Sequence, residues 1–512
     1  MEGRIVKKSK LAQTAWRARR AARRFVQKFE FDEEANLNLP IPTQVVSNEE
    51  YLPYPQTDEQ KRVQNQLIQL ADHNAKLLGI SRRQFLATTG GMAAAFVAMN
   101  SVFGKFFEVD ASEMIEPLAY DEKWPKNQFI FDIQTHHVSA GRQILPLLGY
   151  RKVAERWNPD LKGHAHKMED LYLANYIKEI FFDSDTSVAV ISGFPSPTDN
   201  SNILPPPDMI ETRAKVNGLA ASRRIVSHGL FSPDLGSANM DNMHRQAEVL
   251  KIEAWKGYTG QGLGPTKEGW WLDDEKVAYP TLEYARQTGI KLVCVHKGLP
   301  LPGFNVEHCS PRDVPKAAAD FPDLTFILYH SGFKGLESSA EIIKAFQTGD
   351  LKITGDPAKD AYVPWVSDIC AARKKNPKMT NVYMEIGSTF GMLAITNPML
   401  CCHVLGMLID AFGDDHVLWG TDSIWWGSPQ WQIEAFRRLK MDDGLMKQFG
   451  YKPLTTEVKN KIFGLNAARV YGVDVKAKLK AIPNDYVTQL KAQYRNDGAR
   501  PSNTQYGWVY GK

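Results

Sequence analysis

The sequence predicts an α/β protein, a (β/α)8 TIM barrel that follows an N-terminal extension. From residue 127 onward, short runs rich in β-branched residues alternate with longer amphipathic stretches, a pattern typical of parallel β/α units. Eight such runs can be counted, which is the number of strands that closes a β/α barrel. Several of the runs end in histidine or aspartate, and strand ends are where a barrel places its active site.

The predicted strands are short and apolar, as expected for strands that are buried on both faces. In chain order they are 129–134, 187–192, 224–231, 251–257, 290–296, 324–330, 381–387 and 416–422. Helix-like stretches separate them, for example 168–182, 208–223, 279–289 and 397–413. The first connection is long, and its segment 141–159 is predicted to be a lid or specificity loop. The barrel is expected to span 127–473, with a polar tail at 474–512.

The composition is that of an ordinary globular protein, with 43% hydrophobic and 23% charged residues in 512. This length holds one large barrel and additional segments. A net charge of +4 is too small to indicate nucleic-acid binding, so no nucleic-acid partner is expected. The five cysteines include no C-x-x-C pair and are too scattered for a disulfide framework.

Residues 1–80 form a basic and polar N-terminal extension ahead of the barrel. Much of the basic charge lies at 7–28, KKSKLAQTAWRARRAARRFVQK. This stretch predicts either an amphipathic helix on an anionic membrane or a solvated charged helix, and the sequence leaves both open.

Residues 81–111 have the layout of a twin-arginine export signal. Arg82 and Arg83 precede a Gly/Ala-rich apolar run that is short and weakly hydrophobic for a membrane span. Val109 and Ala111 are the small residues that signal peptidase requires, which predicts a cut after Ala111. The expectation is recognition by the twin-arginine machinery of a bacterium and export to the periplasm or cell envelope. The alternative is a helix of the folded domain that happens to begin with two arginines.

Four ionisable residues stand at the ends of predicted strands: His136, His296, His330 and Asp422. Because these ends meet at one rim of a barrel, we expect the four side chains to converge. A divalent ion held by imidazoles and a carboxylate lowers the pKa of bound water and polarises a substrate oxygen. In that arrangement Asp422 contacts the ion and accepts a proton, while His330 acts as a general acid or base.

The segments VCVHKG, ILYHSG and LWGTDS, together with KIFGLNAARVYG, resemble the amidohydrolase-related branch of the amidohydrolase superfamily. This branch includes aminocarboxymuconate-semialdehyde decarboxylase, and the resemblance spans roughly 127–473. It implies that His296 and Asp422 are metal ligands and that His330 is catalytic. His136 matches the second ligand of the pair on the first strand. The resemblance also implies a small-molecule substrate and a homodimer, since related enzymes commonly pair.

Gln134 departs from the family pattern, which has histidine at this position. An amide oxygen is a weaker ligand for zinc than imidazole is. Gln134 could ligate a divalent metal through its oxygen, or a zinc ion could be held by His136, His296 and Asp422 alone. The third outcome is a metal-free site, in which Asp422 and the histidines act as acid and base.

Three further residues are candidates for substrate binding. Lys256, at the end of the fourth strand, could bind a substrate carboxylate, or bridge two metals if carboxylated; a lysine reaching the rim is the alternative. His228 on the third strand and Glu385 on the seventh either line the pocket or form hydrogen bonds within the barrel. Trp425, on the last loop, either stacks on a flat substrate or packs in the core.

The sequence thus predicts a hydrolase that uses metal-bound or base-activated water, with a small cyclic or aromatic carboxylate-like substrate implied by the resemblance. One alternative on the same fold is a non-oxidative decarboxylase, in which an acid delivers a proton to a ring carbon. The other is a barrel that has lost turnover at Gln134 and serves as a binding or scaffold protein of the cell envelope.

Overall fold

A computed structural model confirms the predicted barrel. The structure describes residues 25–27, 39–45, 54–124, 127–141, 171–351, 361–499 and 508–510. Eight parallel strands follow one another around the sheet, each paired with the next along the chain. They are β1 (Phe131–Thr135), β2 (Val188–Ile191), β3 (Ile225–Leu230), β4 (Ala254–Tyr258), β5 (Leu292–His296), β6 (Thr325–Tyr329), β7 (Val382–Glu385) and β8 (Val417–Leu418).

The barrel closes at a seam between β1 and the residues that follow β8. The backbone N–H of Asp422 donates to the carbonyl of Gln134 at 2.9 Å, and the N–H of His136 donates to the carbonyl of Ser423 at 2.7 Å. Thr135 and Ser423 also form an isolated parallel bridge. Because β8 has two residues, the candidate site residues themselves complete this part of the ring.

Strand residues alternate between the barrel interior and the surrounding helices, as a period of two requires. Val188 and Val190 of β2 belong to the interior cluster, whereas Ala189 and Ile191 belong to the cluster beneath the helices. All four are fully buried, which explains why β2 reads as a continuous apolar run rather than an alternating one.

Helices surround this ring and also precede it in the chain. Before the barrel lie α1 (Asp58–Leu77), α2 (Arg82–Leu86), α3 (Thr89–Phe103) and α4 (Pro117–Lys123). The barrel contributes α5 (Leu173–Ile177), α6 (Pro206–Ala220), α7 (Ser237–Arg245), α8 (Tyr279–Thr288), α9 (Val314–Asp320), α10 (Ala340–Thr348), α11 (Val366–Lys375), α12 (Gly387–Thr396), α13 (Pro398–Phe412), α14 (Gln430–Arg438), α15 (Asp443–Phe449), α16 (Thr456–Asn460) and α17 (Asn466–Val470). In the tail are α18 (Val475–Ala481) and α19 (Tyr486–Asn496), and two short strands, Phe25–Gln27 and Trp508–Tyr510, pair antiparallel.

The predicted signal-like segment forms α2 and α3, which pack on the barrel helices. Phe96 and Met99 of α3 belong to the same buried cluster as the residues beneath the barrel helices. Arg438, at the end of α14, is fully buried and pairs with Glu113 at 2.8 Å. The role of this segment in export stays a prediction. Among the described helices, none combines the length and the apolar character that a membrane crossing requires.

Two predicted features fall outside the described residues. Of the basic stretch 7–28, only residues 25–27 are described. Of the predicted lid segment 141–159, only residue 141 is described. All five cysteines are described, and each is a buried free thiol, in agreement with the absence of a disulfide framework.

Candidate active site

The residues at the carboxyl ends of the strands meet around a small cavity. His296 from the end of β5, His330 just after β6 and Asp422 just after β8 all line it. Ser388 of α12 and Lys334 complete its polar lining, and the cavity volume is ≈60 Å³. This space holds a few water molecules or one small organic group.

His136 contacts Asp422 at the side of this cavity. Its Nε2 lies 3.1 Å from Oδ1 of Asp422, and its Nδ1 lies 2.8 Å from the carbonyl oxygen of Ser192. Both ring nitrogens therefore face acceptors, and only a ring with two protons can donate to both. The ring stacks on Trp425 with 5.9 Å between centroids, so Trp425 buttresses His136 and is 4% exposed.

The Asp422 carboxylate has its oxygens occupied by donors. Nε2 of Gln134 donates to Oδ1 at 2.9 Å, and Oγ of Ser388 donates to Oδ2 at 2.6 Å. Burial alone would raise the pKa of Asp422, but the hydrogen bond and charge of His136 hold it well below its usual range. Both carboxylate oxygens already accept hydrogen bonds from these neighbours, and the role of Asp422 as the base stays a prediction.

His296 and His330 both line the cavity and are in edge-to-face contact, with 4.7 Å between ring centroids. Nε2 of His296 lies 3.0 Å from the carbonyl of Leu299 and donates to it. Nδ1 of each ring is buried and has no hydrogen-bond partner among the described residues. Burial lowers the pKa of His330 to about 4 and that of His296 well below the ordinary value. Both rings are therefore neutral at pH 7, and each can offer a lone pair.

The backbone of His330 is fixed by Glu385, at the end of β7. Oε2 of Glu385 accepts the His330 N–H at 3.0 Å, and Oε1 accepts the Gly387 N–H at 2.6 Å. Thr389 Oγ1 donates to the His330 carbonyl at 2.9 Å. His330 and Asp422 both have left-handed backbones, with φ of 65° and 59°. Non-glycine residues in this region are strained and need surrounding structure to hold them.

The donor set does not match a preformed zinc site. In the described part of the chain, no group of three or more His, Cys, Asp or Glu residues is arranged to hold a metal ion. Gln134 turns its amide N–H toward Asp422, and its buried Oε1 lies against Gly387 without a hydrogen-bond partner. His136 and Asp422 thus supply two adjacent donors where a catalytic zinc takes three protein ligands.

Residues 231–473 match a protein-family model described as Amidohydrolase. Over these residues the barrel is similar to amidohydrolases. The matched region runs from the end of β3 through α17, and it includes His296, His330 and Asp422. The match is consistent with the resemblance to the amidohydrolase superfamily that the sequence motifs predict.

Solved structures similar to this barrel include 5-carboxyvanillate decarboxylase LigW from Sphingomonas paucimobilis, at 12% identity and a TM-score of 0.42, covering 68% of this chain and 100% of that one. The 4-oxalomesaconate hydratase LigJ from Rhodopseudomonas palustris is 15% identical with a TM-score of 0.39, covering 72% and 100%. LigW2 from Novosphingobium aromaticivorans, solved with bound manganese, is 14% identical with a TM-score of 0.39, covering 68% and 99%. Likeness this distant does not assign a reaction. No curated protein matched the sequence.

Two residues predicted for the site lie deeper in the barrel than expected. His228 is fully buried, with Nδ1 2.9 Å from Oγ of Ser192 and Nε2 3.1 Å from the hydroxyl of Tyr471. Nζ of Lys256 lies 3.1 Å from the ring centroid of Tyr329 and is also fully buried. Neither residue lines the described cavity, because both point into the barrel interior below its rim.

Three residues of the site were not found from the sequence. Ser388 lies in a short run of small residues that follows Glu385. Lys334 lies in a loop, four residues after His330. Tyr54 lines the cavity from the segment that precedes α1. The position of Ser388 could have been read from its nearness to a strand end, whereas nothing in the sequence links Tyr54 to the barrel.

Proposed function

We propose that this protein is a hydrolase of small cyclic or aromatic carboxylate-like substrates, with His330 as the base that activates water. The observation that carries the proposal is a neutral His330 that lines one cavity with His296 and Asp422 and whose Nδ1 has no hydrogen-bond partner among the described residues. A general base must hold an available lone pair within reach of the water that it deprotonates.

In the proposed reaction, water attacks the acyl carbon of an ester or lactone while His330 takes one of its protons. The carbon–oxygen bond to the leaving group then breaks, and His330 returns the proton to the departing oxygen. Water is consumed, and the products are an acid and an alcohol. His330 therefore acts first as base and then as acid, which differs from the roles expected from the sequence.

Asp422 serves in this proposal as a fixed negative charge rather than as a proton acceptor. It holds the His136 ring at 3.1 Å and places a carboxylate near His330, where it favours the protonated ring that forms during attack. Lys334 lies on the cavity lining and would pair with the substrate carboxylate.

The test is product analysis in water labelled with oxygen-18. Aryl esters, aromatic lactones and hydroxybenzoates, each carrying a carboxylate, are incubated with the purified full-length chain. Hydrolysis predicts one labelled oxygen in the acid product and no carbon dioxide. Release of carbon dioxide without incorporation of label would show the decarboxylase instead, and no turnover of any compound would favour the scaffold alternative.

A further inference from the structure

Tyr54 precedes the barrel by more than seventy residues in the chain, yet it lines the candidate catalytic cavity beside His296 and His330. It also lines a second cavity of ≈810 Å³, bounded by the segment 54–62, the end of α3 and the start of α13. Tyr54 is the residue that the two described linings share. Its side chain therefore stands between a small inner space and a large outer one.

The Tyr54 segment is fastened to the barrel by hydrogen bonds. Nε2 of Gln60 donates to the carbonyl of Ile395 at 3.2 Å, near the end of α12. That helix also carries Ser388, which donates to Asp422. On the other side, Nε2 of Gln56 donates to the carbonyl of Thr43 at 3.1 Å. The segment is thus joined to the same helix that holds the candidate site.

The Tyr54 side chain is suited to separate the two cavities because it is aromatic and uncharged. Burial and the charge of Glu337 raise the pKa of Tyr54 to about 12, so its hydroxyl stays protonated at neutral pH. Beyond it, the outer cavity has an apolar portion formed by Val102, Phe103, Phe346 and Met399. An uncharged aromatic ring can face this portion without a desolvation cost.

We propose that Tyr54 determines substrate specificity by limiting the size of the catalytic cavity. It follows that residues 54–103 are not cleaved off and remain part of the working enzyme. The inner cavity of ≈60 Å³ admits small substrates while Tyr54 is present. Without the ring, the inner space opens into the outer cavity of ≈810 Å³ and accepts larger groups. Cleavage after Ala111 would remove both Tyr54 and Gln60 from the site, so the working enzyme retains the signal-like segment.

Access to the inner cavity can be measured with diethyl pyrocarbonate, which modifies neutral histidine, followed by peptide mapping of His330. Tyr54→Ala should raise the labelling rate of His330 by about threefold or more, because the ring no longer shields the cavity. Tyr54→Phe retains the ring and should label like the parent. Tyr486→Ala, which removes an exposed tyrosine of α19, is the matched control. Equal rates for Tyr54→Ala and the parent would overturn the partition.

The labelling rate does not depend on which reaction the site performs. A failed hydrolysis assay with accelerated labelling in Tyr54→Ala would leave the partition in place and reject the proposed function. Conversely, hydrolysis with unchanged labelling would reject the partition. If hydrolysis is found, Tyr54→Ala should also shift preference by about tenfold or more toward substrates with larger ring substituents.

Retention of residues 54–103 can be tested without a destabilising substitution. A protease recognition sequence is inserted between Gly104 and Lys105, in an exposed turn, and the folded protein is then cut. If the segment is part of the domain, the two fragments co-elute in size-exclusion chromatography and separate only in denaturant. Separation under native conditions, with His330 labelling unchanged, would overturn the proposal.

Discussion

Nε2 of His136 lies 3.1 Å from Oδ1 of Asp422, although the two residues come from the first and the last strands of the barrel. The contact gives Asp422 a hydrogen-bond partner, and Gln134 and Ser388 add two more donors. Within the candidate site, His296 and His330 are available for proton transfer, because their Nδ1 atoms have no hydrogen-bond partner among the described residues.

Replacement of His330 by glutamine should abolish most of the hydrolysis. Glutamine preserves approximate size but has no titratable nitrogen, so kcat/KM is expected to fall by about 10²–10⁴-fold. The measurement is steady-state kinetics on the substrate found by product analysis. His403→Gln, which changes another buried histidine that does not line the cavity, should retain parental kcat/KM. Parental activity in His330→Gln would remove the base from the proposed mechanism.

Gln134→His should increase the affinity for zinc. The new imidazole would lie beside His136 and Asp422 and supply the third donor that the described residues lack. We expect zinc to bind at least about tenfold more tightly than to the parent, because imidazole is a better ligand than an amide. Competition with a chromophoric chelator measures this, with Gln134→Asn as the control. Equal affinity in Gln134→His and the parent would contradict the expectation.

The stability of the protein should decrease in mild acid partly because of His403. Burial lowers the pKa of His403 to about 4, while the carbonyl of Ala361 and the hydroxyl of Tyr451 bind its two nitrogens. The unfolded chain takes up a proton near pH 6.5, so this contribution is complete above that pH and is lost as the pH falls toward 4.

His403→Gln removes this titration and can retain both hydrogen bonds. Between pH 6.5 and 4 the parent should lose about 3 kcal/mol more unfolding free energy than the variant. Urea denaturation at several pH values measures the difference. Two parallel curves of unfolding free energy against pH would mean that His403 is not a buried neutral histidine.

Removal of the Glu113 carboxylate should destabilise the whole domain. Glu113 and Glu434 pair with the fully buried Arg438, at 2.8 and 3.4 Å. Glu113→Ala leaves this buried guanidinium with one carboxylate, that of Glu434, and we expect the unfolding free energy to fall by about 3–5 kcal/mol. Glu275→Ala removes an exposed carboxylate that pairs with Lys316 and should have little effect. Urea denaturation of both variants provides the comparison.

The strands were predictable because each is a short apolar run with a clear end. The predicted run 416–422 shows the limit, since the strand proper is Val417–Leu418 and the following residues form the seam. His136, His296, His330 and Asp422 were found because the carboxyl ends of parallel strands must share one rim.

The remaining features of the site depend on depth and on distant packing. His228 lies two residues before the end of β3, and that small offset places it in the interior with Tyr471 rather than at the rim. Alternation along a strand gives the side of a residue but not its height in the barrel. The Tyr54 segment is held at the barrel by the hydrogen bond from Gln60 of α1 to Ile395 of α12, and no local pattern in the sequence of that segment predicts this contact.

The seam of the barrel links the thermal stability of the protein to its catalytic activity. Asp422 and His136 tie the two ends of the sheet together through their backbones, while their side chains contact each other in the candidate site. If those strands part by even a fraction of an ångström, the reactive groups lose their alignment at once. Activity should therefore be lost at the same temperature at which the barrel begins to open. We expect no range of temperature in which the barrel is partly open and the enzyme still turns over.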